Sequence, residues 1–125
     1  ENWRYSMFLI DKDNNKLTKI VKTTFHELGF KEREHLQEWI AKEPSCLDEE
    51  LLIIQKEFDG FDGTNERLDL LALDHSGALV IIENKLDDTG KDVTWQALKY
   101  VSYCSTLSKT QIVNIYYRFQ SMYLC

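Results

Sequence analysis

The 125-residue sequence is poor in the residues that loosen or cross-link a chain, with one proline, five glycines and three cysteines. So few prolines and glycines exclude long flexible linkers and low-complexity tracts. Cys46, Cys104 and Cys125 are an odd number without the short spacing of a zinc site, which indicates free thiols in a reducing cytosol. No apolar run approaches the roughly 18 residues of a membrane span, and the first residues lack a secretory apolar core. We therefore expect a cytoplasmic protein that does not enter a membrane.

Positive charge is also scarce, because 15 basic residues face 21 acidic ones and leave a net charge of −6. This balance argues against binding nucleic acid or an anionic membrane through bulk charge, although a small basic groove remains compatible with it. Apolar residues are abundant, since 43% of the residues are hydrophobic and 12% are aromatic. A chain of this length and composition predicts a single domain, residues 1–125, with a packed core.

Hydrophobic periodicity divides the chain into strands and helices. Two apolar runs within residues 5–22 flank a polar turn and predict a β-hairpin. Residues 30–105 are expected to form the core of the domain, and residues 109–123 a last helix. Within that core the patterns predict a helix over 30–42, strands at 51–54, 67–73 and 79–85, and a helix over 92–105. This order predicts an α/β fold with a mixed β-sheet flanked by helices.

Two carboxylates interrupt the apolar strands of this core. Asp69 lies within one strand, and Glu83 lies on the next, two residues before Lys85 and on the same face. Charged groups on a buried strand are costly to desolvate unless they are paired or bind a ligand. Two carboxylates on adjacent strands can hold a hard divalent cation, and a lysine beside them can orient a water molecule or stabilise an oxyanion. This set suits metal-assisted attack on a phosphodiester, whereas an exposed Glu–Lys pair on an edge strand is the alternative.

The turn between the two strands decides whether this site can form. If Leu73 pairs with Ala78, the two carboxylates lie on opposite faces of the sheet. If the loop has an odd number of residues, with Gly77 in a left-handed conformation, Asp69 lies opposite Glu83. The sequence is compatible with both registers.

Further polar side chains lie on the helices around this strand pair. Gln96 and Tyr100 share one face of the helix over 92–105, and Lys99 lies on a neighbouring face. The glutamine and tyrosine either bind phosphate and position a water molecule or form an ordinary amphipathic fringe. Glu32 lies near the apolar stripe of the first helix, where a carboxylate is unusual, although the helix dipole also favours one in a first turn.

The chain resembles the PD-(D/E)XK nuclease superfamily at three points: Asp69, the segment Glu83-Asn84-Lys85, and Gln96 with Tyr100. Within the superfamily it is similar to the branch with a trailing QxxxY motif, found in RecB-type and NucS-like nucleases. The resemblance covers residues 30–105 and implies a restriction-endonuclease-like fold that hydrolyses the phosphodiester bonds of DNA with Mg²⁺ or Mn²⁺. A non-catalytic module that keeps the fold and binds nucleic acid or a partner is the alternative.

The resemblance also implies a metal site. Asp69 and Glu83 would ligate the cation, with help from the carbonyl of Asn84. An acid of the first helix would join them, with Glu32 the first candidate and Glu34 the second. An apolar residue is commoner at the position of Asn84, and we expect this side chain to point to the opposite face of the sheet.

The remaining residues of the motif would act on the nucleic acid. Lys85 would position the attacking water and stabilise the transition state. Gln96 would complete the catalytic group and, with Tyr100, support the site and contact the nucleic-acid backbone. Independently of the motif, Lys91 and Lys99 lie eight residues apart, near one face of this helix, and would add positive charge. The resemblance further implies a possible homodimer, and longer bacterial proteins carry such a domain ahead of a further C-terminal region. We expect DNA binding that is weak, salt-sensitive and dependent on metal.

Overall fold

The computed structural model describes residues 5–61, 63, 65–86 and 92–123. These residues form two antiparallel sheets. The first sheet is a hairpin of β1 (Met7–Asp11) and β2 (Lys16–Ile20). The second sheet has the strand order β3-β4-β5 and consists of β3 (Leu51–Phe58), β4 (Leu68–Asp74) and β5 (Leu79–Ile82).

Helical segments precede and follow the second sheet. A π-helical turn, Glu32–Leu36, continues into the short helix α1 (Gln37–Lys42), and a 3-10 turn, Pro44–Leu47, follows it. After the sheet come α2 (Val93–Cys104) and α3 (Lys109–Tyr123). Mixed α/β content is therefore confirmed. None of the helices described is both long enough and apolar enough to cross a membrane.

The prediction of a mixed sheet is wrong for the part of the chain that the structure describes. Every strand pair there is antiparallel. The physical reason is the length of the connections, because a parallel neighbour needs a crossover of a dozen or more residues, whereas each two strands that pair here are joined by fewer. The strand expected over 79–85 also ends early, at Ile82, where the pairing with β4 stops.

The three-stranded sheet is buried between two apolar clusters. On one face Leu71 packs with Tyr100 and Cys104 of α2 and with partly buried side chains of α3. On the other face Leu70 packs with Ile40 of α1. Neighbouring residues of β4 point to opposite faces, so a run of apolar residues serves both clusters. Cys104 is a free thiol, and burial raises its pKa to about 11.

The β4–β5 turn has the register that the metal interpretation requires. Leu73 pairs with Leu79 instead of Ala78. The backbone N–H of Asp74 donates to the carbonyl of Ala78 at 2.9 Å, which leaves a loop of three residues. Gly77 has a φ of +83°, a left-handed conformation that glycine adopts without strain. The odd-numbered loop therefore aligns Asp69 of β4 with Glu83, the residue directly after β5.

Candidate active site

Asp69 and Glu83 face each other where the β4–β5 pairing ends. The last paired residues are Leu70 and Ile82, and one further step of the register places the two acids opposite each other. The backbone N–H of Asn84 donates to Asp69 Oδ2 at 2.9 Å. The backbone N–H of Asp69 donates to Glu83 Oε1 at 3.3 Å. Each carboxylate thus accepts a hydrogen bond from the backbone beside the other, and both residues are partly buried.

Glu32 reaches the same end of the sheet from the π-helical turn before α1. Its Oε1 accepts a hydrogen bond from the backbone N–H of Leu86 at 2.9 Å, and its Oε2 lies 3.8 Å from Lys85 Nζ. Glu34, the second candidate, is exposed and pairs with Lys31 at 3.0 Å. Of the two acids, Glu32 is therefore the one beside the strand ends.

Asp69 and Glu83 both have raised pKa values. Burial is the main cause for Glu83, and with the nearby charge of Asp69 it raises the pKa to about 7, although the charge of Lys85 acts in the opposite direction. Burial also raises the pKa of Asp69, against the lowering effects of the Asn84 N–H and the Lys85 charge. Near neutral pH the Glu83 carboxyl is therefore close to half-protonated. A divalent cation between the two carboxylates would relieve their repulsion.

The oxygen ligands of the site suit a hard divalent cation, although they do not surround it. Asp69 and Glu83 supply carboxylate oxygens, the ligands that Mg²⁺ and Mn²⁺ prefer. Across residues 5–61, 63, 65–86 and 92–123, no group of three His, Cys, Asp or Glu side chains is placed to hold an ion. Glu32 therefore lies beside the pair without completing a three-ligand set. Two carboxylates suffice for Mg²⁺, which usually keeps several of its waters.

Asn84 contacts the site through its backbone. The residue is 4% exposed, and its side-chain Nδ2 has no hydrogen-bond partner among the described residues. Burying an unpaired amide costs about 1–3 kcal/mol, which an apolar residue at this position would avoid. The proposed metal contact of the Asn84 carbonyl stays a prediction.

Two polar residues of α2 support the start of β4. Tyr100 is 1% exposed, and its hydroxyl donates to the carbonyl of Arg67 at 2.9 Å. Gln96 Nε2 donates to the same hydroxyl at 3.4 Å. Arg67 directly precedes β4, so the tyrosine holds the chain two residues before Asp69. The supporting role predicted for Tyr100 fits this geometry, whereas a direct contact with nucleic acid does not, because the side chain is buried.

Of the two lysines expected to add positive charge near the site, the structure describes Lys99. Lys99 Nζ forms an ion pair with Glu66 and lies 5.8 Å from the centre of the Tyr100 ring. Lys99 would therefore have to exchange Glu66 for a phosphate in order to bind nucleic acid. Lys91 lies outside the described residues, and its contribution stays a prediction.

Arg33 is a neighbour of the site that the sequence analysis missed. Burial raises the pKa of Asp69, the charge of Arg33 acts against that rise, and the Nε of Arg33 lies 2.7 Å from Glu57 Oε1. Glu57 has a φ of +49°, a left-handed conformation that is costly for a residue other than glycine and that is often found near functional sites. In the sequence, only the position of Arg33 directly after Glu32 indicates that it lies near the site.

Replacing Tyr100 with Phe tests the support of β4. We expect Tyr100→Phe to lower the free energy of unfolding by about 1–2 kcal/mol, because the Arg67 carbonyl loses its partly buried hydrogen bond while the ring still fills its place. Urea unfolding measures the change. Gln96→Ala removes only the longer bond to the same hydroxyl and should cost less. An unchanged stability in Tyr100→Phe would show that the hydroxyl does not hold the strand.

Comparisons with known proteins add no relative to these observations. No family model, no curated protein and no solved structure matches the chain. The chemistry of the site therefore rests on its own geometry. That geometry brings Asp69, Glu83, Glu32 and Lys85 to one end of the three-stranded sheet.

Proposed function

We propose that this chain is a metal-dependent nuclease domain of the PD-(D/E)XK type, with a restriction-endonuclease-like fold, that hydrolyses phosphodiester bonds of DNA. The observation that supports the proposal most directly is the β4–β5 register, which sets Asp69 opposite Glu83. A shift of the register by one residue would put the two carboxylates on opposite faces of the sheet. The three-residue loop at Gly77 is thus the feature on which the proposal depends.

Each group of the site has its own part in the proposed reaction. Asp69 and Glu83 would hold Mg²⁺ or Mn²⁺, which supplies Lewis-acid activation of the scissile phosphate when bound. The side chain of Lys85 is 37% exposed, so its ammonium can reach a substrate, where it would orient the attacking water and stabilise the charge on the phosphate. Glu32 lies 3.8 Å from that ammonium and would keep it over the strand ends.

A non-catalytic module that keeps this fold and binds nucleic acid or a partner is the second candidate. Two observations favour it. The described residues hold no ready group of three ligands. The pKa of Glu83 is raised to about 7, mainly by burial, so its partly buried carboxyl can be neutral without any cation.

Titration with a divalent cation separates the two candidates. If Asp69 and Glu83 bind Mn²⁺, the ion should raise the melting temperature, with a stabilisation of about 2.7 kcal/mol at roughly one hundred times Kd. Asp69→Asn should abolish the rise. Asp48→Asn is the matched control, because Asp48 is exposed and has a left-handed φ of +61°, which asparagine also tolerates.

Two outcomes of the cation titration would contradict the nuclease proposal or its metal site. A wild-type protein that binds DNA or RNA, but whose melting temperature does not respond to Mn²⁺ or Mg²⁺, would leave the binding module as the function. A rise that persists in Asp69→Asn would place the cation elsewhere on the chain.

A further inference from the structure

Glu57 extends the two acids of the site into a row of three across the sheet. Its two neighbours in β3 pair with the two neighbours of Asp69 in β4, which sets Glu57 level with Asp69. The β4–β5 register in turn sets Asp69 level with Glu83. An acid from each of three adjacent segments therefore lies at the same level, and the outer one, Glu57, has no part in the proposed metal site.

Glu57 holds Arg33 in a contact that is short but poorly aligned. Arg33 Nε lies 2.7 Å from Glu57 Oε1. That oxygen is buried and accepts no hydrogen bond among the described residues, so the attraction is one of charge. The left-handed φ of Glu57, +49°, is costly for a glutamate. A partly exposed ion pair contributes little to stability, so the stability of the fold does not account for this strained arrangement.

Arg33 keeps donors that an incoming anion can use. Its side chain is 68% exposed, against 32% for Glu57. A guanidinium has five N–H donors, and even a bidentate carboxylate engages two of them. The charge of Arg33 also reaches the site, since it acts against the rise that burial causes in the pKa of Asp69. An anion bound by Arg33 would therefore lie beside the proposed cation.

The balance of charge favours a phosphate as this anion once the cation is bound. The strand ends carry four carboxylates and two cationic side chains: Glu32, Glu57, Asp69, Glu83, Arg33 and Lys85. With all six ionised they leave a charge of −2, which one divalent cation offsets. A phosphate is then no longer repelled, and a guanidinium matches its oxygens with two parallel N–H donors.

We propose that Arg33 binds a backbone phosphate of the nucleic acid and that Glu57 is a positioning residue that holds Arg33 until the substrate arrives. The inference rests on the proposed nuclease function and adds a phosphate contact next to the scissile phosphate, on which Lys85 acts. The phosphate displaces Glu57 from Arg33, because it forms the aligned hydrogen bonds that Glu57 does not. Glu57 is thus an internal competitor of the substrate.

Binding of a fluorescein-labelled single-stranded oligodeoxynucleotide tests both residues. Fluorescence anisotropy measures it in Ca²⁺, which takes carboxylate oxygens as ligands. Arg33→Ala should weaken binding by about tenfold, because a hydrogen-bonded contact between charged groups is lost. It should also make the slope of log Kd against log salt shallower by about 0.7, the value for one phosphate of a single strand. Glu57→Gln should instead tighten binding about two- to fivefold, since the substrate no longer has to break an ion pair.

Two controls separate competition from a general loss of negative charge. Glu38→Gln removes a similar glutamate, because Glu38 is 33% exposed and pairs at 2.9 Å with Lys56, whose side chain is only 15% exposed. This variant should change binding by a smaller factor than Glu57→Gln. In a double variant, Arg33→Ala should cancel the gain from Glu57→Gln, because no arginine is left to release.

The results that would overturn the proposal are distinct. They are a gain from Glu57→Gln that persists without Arg33, a folded Glu57→Gln that binds no more tightly than the wild type, and an unchanged salt slope in Arg33→Ala. Far-UV circular dichroism verifies folding. The salt slope decides by itself if Glu57→Gln does not fold, since Arg33 is mostly exposed.

Cleavage assays with Mn²⁺ separate this inference from the nuclease proposal. Arg33→Ala should raise KM and leave kcat nearly unchanged, because a phosphate beside the scissile one is bound equally in the ground state and the transition state. A loss confined to kcat would overturn the assignment. A wild type that binds the oligonucleotide without cleaving it would contradict the nuclease proposal alone, since the anisotropy data would still decide on Arg33. A wild type that does not bind the oligonucleotide would overturn both.

Discussion

Replacing Lys85 with Ala should reduce Mn²⁺-dependent cleavage of DNA by at least about 100-fold, because loss of one donor aimed at a developing oxyanion costs roughly that much. The loss should fall on kcat, since the ammonium is proposed to act in the transition state. The side chain is 37% exposed and its ion pair with Glu32 is 3.8 Å long, so folding should depend little on it. Cleavage of plasmid and single-stranded substrates by matched preparations measures the rate.

Two further lysine variants sharpen this experiment. Lys109→Ala removes an exposed lysine at the start of α3 and should leave the rate unchanged. Lys85→Arg keeps the positive charge but presents it as a planar fork, so only part of the activity should return. Unchanged cleavage in Lys85→Ala, together with its loss in Asp69→Asn, would remove the lysine from the mechanism. Unchanged cleavage in both variants would contradict the proposed site.

Elements defined by local periodicity could be predicted from the sequence, whereas the arrangement of the central sheet could not. The hairpin within residues 5–22 and α3 (Lys109–Tyr123) lie where their patterns predict them, because both depend on near neighbours. The direction of a sheet depends on which distant strands meet. Apolar runs such as those of β4 and β5 do not specify this, since a strand covered on both faces reads the same in parallel and antiparallel sheets.

The candidate site could be predicted as a set of residue types but not as a geometry. The two strand carboxylates stand out because each interrupts an apolar run. Whether they meet depends on the conformation of Gly77, and the residues of the turn permit two registers. The helical pattern favours Glu32 over Glu34 by its face, but it does not predict that Glu32–Leu36 is a π-helical turn, in which the faces have a different spacing.

Glu83→Gln should stabilise the metal-free protein at alkaline pH while it abolishes cleavage. The pKa of Glu83 in the folded protein is about 7 against an ordinary 4.5, mainly through burial and secondly through Asp69. The folded state thus binds this proton more tightly than the unfolded state, so wild-type stability falls as pH rises between those two values and stays low above them. Glutamine has no charge to bury, so the gain should be near zero at about pH 4 and about 1–3 kcal/mol at about pH 8.

Urea unfolding in EDTA at the two pH values measures this gain, and Glu49→Gln, at an exposed glutamate, should show none. Excess Mn²⁺ should reverse the order of stability, because the wild type gains the free energy of binding and Glu83→Gln loses one of its two main ligands. The combination separates a functional carboxylate from a structural one. A structural carboxylate would make Glu83→Gln less stable at both pH values, with or without the cation, and that result would contradict the assignment of Glu83 to a metal site.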